Sequence, residues 1–156
     1  MTDAPLALAA VKFDERFLDA SWGWLNDPEI RWLTCTPVFT REQQKMWFHS
    51  LPTKTDYCVW GVELEDVPIG AFGFKHIQTD SAEYWGYIGD RRLWGRGIGR
   101  WMLQEAIERA RLKGLQRLYL HVVERNLRAI RLYKRQGFVE AIGDGGMLRL
   151  EKRLCP

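Results

Sequence analysis

Apolar and polar positions follow two different periods along this chain, and the changes of period mark its elements. The apolar stretch "PLALAAVKF" at 5–13 predicts a first strand. Over 14–27, Phe17, Leu18, Ala20, Trp22 and Leu25 recur at helical spacing, with Asp14 placed to cap the helix and Asn26-Asp27-Pro28 to stop it. Thr40, with Gln43 three residues on, forms a capping-box pattern ahead of a second helix in "TREQQKMWFHSL". The period then shortens. Residues 57–64, 68–77 and 82–89 are rich in β-branched and aromatic side chains and are separated by short polar turns, which predicts an antiparallel meander. From residue 97 the helical period returns, with Met102, Leu103, Ala106, Ile107 and Ala110 on one face and Gly114 where the helix should end. Residues 115–123 predict a buried strand, and 126–136 a helix with Ala129, Ile130 and Tyr133 facing inward. "FVEAIG" and "MLRLEKRL" predict a closing hairpin across Asp144-Gly145-Gly146. The succession is that of a three-layer α/β domain with a mixed, largely antiparallel central sheet.

Composition narrows the picture without deciding it. The 156 residues are the size of a single domain, read as 1–156, and contain no linker or repeat. No apolar run is long enough to cross a membrane, and the first residues lack the pattern of a signal peptide. Three widely spaced cysteines predict neither a disulfide framework nor a metal site, so a reduced, cytoplasmic setting is expected. A net charge of +3 does not argue for nucleic acid. That charge is concentrated, however: Arg91, Arg92, Arg96 and Arg100 surround one segment, and Arg125, Arg128, Arg131, Lys134 and Arg135 another.

The first of these segments holds Gly95, Gly97 and Gly99 between the last meander strand and a helix. A glycine-rich turn at a helix N-terminus presents unpaired backbone N–H groups and the positive end of the helix dipole to one point. That arrangement suits a phosphate or pyrophosphate. The segment lacks the Gly-Lys-Ser/Thr ending of a P-loop, and it follows an antiparallel meander, unlike a dinucleotide fold.

The second segment gives this cradle a context. "NLRAIRLYKRQGF", with Asn126, Ala129, Tyr133, Gly137 and Phe138, resembles the second signature of the Gcn5-related N-acetyltransferase (GNAT) superfamily. The glycine run resembles that family's acetyl-CoA-binding signature, with Gly97 and Gly99 at its glycines and Trp94 where Gln or Arg is usual. The resemblance implies the α-β-α GNAT fold and acetyl-CoA as co-substrate, with no metal. It implies direct attack of a primary amine on the thioester. Tyr133 takes the place of the acid that donates to the leaving sulfur, and Glu83, eleven residues before Trp94, that of the base. Glu83 shares a strand face with Trp85 and Tyr87, aromatic surroundings expected to raise its carboxyl pKa. His76 is the alternative base. Backbone groups of Tyr87, Ile88 and Gly89 are expected to meet pantetheine. Trp94, Gly95, Arg96, Gly97, Ile98, Gly99 and Arg100 are expected at the pyrophosphate, with Asn126 as a further coenzyme contact or a helix cap.

The acceptor is less legible. "DPEIRWLTCTPVFTREQQKMWF" resembles the ribosomal-protein and amino-sugar branches of the superfamily, and more closely the amino-sugar type. A nucleotide-linked amino sugar is therefore the expected acceptor, with Arg31, Trp32, His76 and Trp85 as its contacts. The N-terminal α-amine of a protein, another small amine, and a non-catalytic acyl-CoA-binding module remain alternatives. A homodimer is compatible with this reading, which does not fix the oligomeric state.

Overall fold

A computed structural model describes residues 6–154. A seven-stranded sheet runs in the order β1-β2-β3-β4-β5-β7-β6, and its strands are β1 (Leu8–Lys12), β2 (Cys58–Leu64), β3 (Val67–Lys75), β4 (Ser81–Ile88), β5 (Arg117–Val123), β6 (Val139–Asp144) and β7 (Met147–Arg153). All neighbours are antiparallel except β4 and β5. A parallel pair requires a crossover, and the chain supplies it as α4 (Ile98–Leu112). The other helices are α1 (Glu15–Asn26), α2 (Pro28–Thr34), α3 (Arg41–Ser50) and α5 (Leu127–Arg135). Pro5, the start of the expected first strand, lies outside the described residues.

Helix ends fall where the sequence marks them. Asp14 accepts the Arg16 N–H, and Thr40 and Gln43 make both bonds of the capping box. One helix is additional to those the pattern predicts. Asn26-Asp27-Pro28 does end α1, but Asp27 also accepts the N–H groups of Glu29 and Ile30 and caps α2, with Pro28 in its first turn. β3 stops at Lys75, short of the expected residue 77, because His76 takes a left-handed backbone with φ 53°.

Two apolar layers flank the sheet. On one side Met102, Leu103, Ala106, Ile107 and Ala110 of α4 are buried as predicted, against Phe72, Phe74, Tyr84, Leu118 and Leu120. Burying each such large apolar side chain contributes roughly 1.5–3 kcal/mol. On the other side Phe13, Phe17 and Leu18 pack with Ala71, Trp47, Trp85 and Tyr87. β4 therefore divides its side chains by parity: Tyr84 joins the first layer, and Trp85 and Tyr87 the second.

The sheet opens in its middle. β4 and β5 pair only at Ser81–Arg117, Ala82–Leu118 and Glu83–Tyr119, yet both strands continue beyond that point. The result is a wedge between two strands of one sheet.

Candidate active site

A continuous cavity of about 1960 Å³ runs through this wedge. At one end lie the glycine loop and the start of α4. Gly95 and Gly97 have φ of 81° and 83°, a region open chiefly to glycine. Gly97 is the N-cap of α4 and offers no capping side chain, so among the described residues no side chain caps the start of the helix, where Gly97, Gly99 and Arg100 line the cavity. A Cβ at Gly99 would stand 3.3 Å from Leu132, so glycine there lets α4 start close against α5. Arg96, Arg100, Arg125, Arg128, Arg131 and Arg135 line the cavity, and none of them forms an ion pair among the described residues. A helix N-terminus without a capping side chain, in a cavity lined by these arginines, fits a multiply charged phosphate compound.

Other side chains in and around the glycine segment are engaged elsewhere. Arg91 pairs with Asp27 and Glu29, and Arg92 with Asp90. Ile98 is 1% exposed, with its side chain in the core, so only its backbone is available. Trp94 pins the loop to the end of β4, because its indole Nε1 donates to the Ile88 carbonyl at 3.0 Å. Asn126 accepts the Ala129 N–H at 3.3 Å, which is the helix-cap role.

Of the backbone positions expected along the open edge of β4, Ile88 faces it and Tyr87 and Gly89 do not. The Gly89 N–H bonds the Ile69 carbonyl, and the Asp80 carbonyl accepts from Arg117. Groups alternate sides along a strand. Odd positions therefore face β3, and even ones the wedge. Gly70 of β3 has no room for a Cβ beside the Tyr87 carbonyl, which agrees with this parity. The wedge-facing backbone belongs to Tyr84, Gly86 and Ile88, whereas that of Tyr87 is held by β3. Gly89 is packed against the Trp24 indole and does not line the cavity. The Tyr87 ring does line it.

Where the wedge begins, Glu83 is 6% exposed. Its Oε1 lies 3.0 Å from His76 Nδ1 and its Oε2 3.1 Å from His121 Nδ1, with Lys75 Nζ 3.6 Å away. Burial pushes the carboxyl up, but the bonds to His121 and His76 and the Lys75 charge outweigh it and hold the pKa below the ordinary range. The expected rise is thus reversed: two imidazoles, and not the aromatic rings, touch the carboxylate. Nothing in the sequence pattern singles out His121.

Tyr133 lines the cavity from α5 and meets Tyr84 edge-on at 6.4 Å. Burial pushes its hydroxyl up to about 12. Beyond Glu83 the cavity is walled by aromatic rings. Tyr57 stacks on Trp85 at 6.0 Å, Trp85 on Tyr87 at 6.3 Å, and Trp47 meets Tyr57 edge-on. Trp32 and His76 also line this end. Arg31 does not: its guanidinium turns back to Asn26 Oδ1 and the Leu25 carbonyl at the end of α1.

The model of the acetyltransferase (GNAT) family matches residues 24–138. The chain belongs to this family. Among GNAT relatives, the spermine/spermidine N(1)-acetyltransferase of Bacillus subtilis is 46% identical over 50 residues, 31% of this chain and 33% of that protein. The crystal structure of a domain from Methanocaldococcus jannaschii superposes with a TM-score of 0.85 at 20% identity, covering 96% of this chain and 99% of that one. Campylobacter jejuni N-acetyltransferase PseH in complex with acetyl coenzyme A gives 0.75 at 18% identity, covering 94% and 98%. At these identities the two structures establish the GNAT fold. The chain spans 20% to 33% of the length of the first curated relatives it matches. Among the described residues no helix is long and apolar enough to cross a membrane.

Proposed function

We propose that this GNAT protein transfers the acetyl group of acetyl-CoA to a primary amine by direct attack, and that the amine belongs to a nucleotide-linked amino sugar. The observation that carries the transfer is continuity. One cavity joins the uncapped N-terminus of α4, the opened edge of β4, Tyr133 and the Glu83 cluster. Phosphates at α4 would direct the pantetheine arm along the wedge. The thioester would then lie between Tyr133, as donor to the departing sulfur, and the polar cluster around Glu83, which takes up the amine's proton.

The acceptor reading rests on the far end of the cavity. Glu29 and Glu83 are the acidic side chains lining it among the described residues, and both are paired, with Arg91 and with the His76–His121–Lys75 group. A polyamine carries several positive charges and calls for several free carboxylates. The flat walls of Trp47, Tyr57, Trp85 and Tyr87 instead suit the apolar face of a sugar ring.

Thiol release from acetyl-CoA over a panel of amines tests both parts. Nucleotide-linked amino sugars should exceed spermidine and N-terminal peptides by about a hundredfold in kcat/KM, the scale of discrimination that pocket contacts provide. A preference for a peptide or polyamine overturns the acceptor. Coenzyme binding without thiol release for any amine overturns the transfer.

A further inference from the structure

We propose that His121, and not Glu83, receives the proton of the acceptor amine, with Glu83 and His76 as positioning residues; this rests on the acetyl-transfer reading above. Three observations carry it. First, both oxygens of Glu83 are already engaged, Oε1 by His76 and Oε2 by His121 and Lys75, and the carboxylate is 6% exposed. A carboxylate so enclosed has little approach left for a substrate. Second, a carboxylate at 3.1 Å from His121 Nδ1 fixes the proton on that nitrogen. Nε2 is then the free lone pair, as in any imidazole oriented by a carboxylate. Third, His121 stands on β5 two positions past Tyr119, where the pairing of β4 with β5 ends, and it lines the cavity. Its side chain is 26% exposed, against 64% for His76. The imidazole is thus inside the wedge and reachable from it.

The charged and titratable groups facing His121 come from its own strand and three others. β4 contributes Glu83, and through that carboxylate come Lys75 at the end of β3 and His76 just after it. On β5 itself, Tyr119 meets the imidazole edge-on at 6.1 Å. On β7, Arg149 is the register partner of His121, and its charge is shared between the Tyr119 ring and Glu151.

Protons and bonds balance in this scheme. The bound ammonium gives one proton to His121 Nε2. The neutral amine attacks the thioester carbon, so that a C–N bond forms and the C–S bond breaks. The second N–H proton passes by way of the Tyr133 hydroxyl to the sulfur, leaving amide and thiol. The imidazolium then releases its proton to water.

The test combines kinetics and tautomer. His121→Ala and His121→Gln should lower kcat/KM about 10²- to 10⁴-fold, the usual contribution of a positioned base, with coenzyme affinity unchanged. The acid limb of the pH–rate profile should disappear, and added imidazole should restore activity to His121→Ala in proportion to its concentration. Glu83→Gln should retain the limb and lower kcat/KM by less than the His121 variants do. Retention of the limb and of full activity in both His121 variants overturns the proposal. So does loss of the limb in Glu83→Gln alone. Nitrogen NMR of the wild-type chain is independent of turnover. It should show His121 protonated on Nδ1 above its titration, and the Nε2–H tautomer overturns the assignment even in a protein that acetylates nothing.

Discussion

Tyr133→Phe removes one hydroxyl from the wedge and tests the proposed donor to sulfur. Burial holds that hydroxyl up to about 12, whereas a free thiol titrates near about 8.5. Complete transfer to a free thiolate would be uphill by roughly 3.5 units, or about 5 kcal/mol. In the proposed role Tyr133 would therefore donate a hydrogen bond as charge grows on sulfur, and part with its proton only as the amine's proton replaces it. A hydrogen bond to a charged partner contributes roughly 1.5–3 kcal/mol. At about 1.36 kcal/mol per tenfold, kcat should fall about 10- to 150-fold. Phenylalanine keeps the ring contacts with Tyr84 and Phe138, at 6.4 and 6.0 Å, so folding and coenzyme affinity should be preserved. Thiol release at saturating acetyl-CoA gives kcat, and calorimetry gives the Kd. An unchanged kcat refutes the role, and a loss above about 10⁴-fold, more than a general acid ordinarily provides, refutes the hydrogen-bond magnitude.

Two further predictions concern the frame around the site. Gly89→Ala would drive a methyl into the Trp24 indole, which meets Tyr87 at 6.1 Å. Overpacking of this kind costs about 1–3 kcal/mol, read as a lowered urea midpoint, and a wild-type midpoint would show that Trp24 yields freely. Burial raises Tyr57, Tyr84, Tyr87 and Tyr133. Above about pH 10 the unfolded chain loses protons that the folded one keeps, so stability is intact below that pH and falls above it. The slope is up to about 1.4 kcal/mol per unit for each tyrosine. A urea midpoint flat between about pH 9 and about pH 11 would contradict this.

The elements are legible wherever one periodicity runs unbroken and a cap or glycine closes it, as in α3, α4 and α5. α2 escapes because Asp27-Pro28 reads equally as a stop and as a start, and the chain uses it as both. The glycine turn can be read because it depends on local backbone conformation. The partners of its arginines cannot. Arg91 finds the carboxylates of Asp27 and Glu29, which tertiary packing places, and Arg92 folds back onto Asp90, while Arg96, Arg100 and Arg128 pair with no carboxylate among the described residues. His121 is hidden for a similar reason. In "LYLHVV" it looks like one half-buried position of an alternating strand, and only the parallel pairing of β4 with β5 brings it to a carboxylate 38 residues away. The same contact reverses the expected shift at Glu83, because a sequence shows a residue's neighbours along a strand but not across it.

The wedge between β4 and β5 has a mechanical side as well. Three residue pairs join the four-stranded half of the sheet to the three-stranded half. That seam is the natural line along which the sheet would part, and its open amides are those most ready to exchange with solvent. A pantetheine arm lying in the gap would act as a guest strand and tie the halves together. Coenzyme at about a hundred times its Kd would then add about 2.7 kcal/mol to the folded state. The lifetime of this protein against unfolding and proteolysis would rise and fall with the supply of its proposed co-substrate.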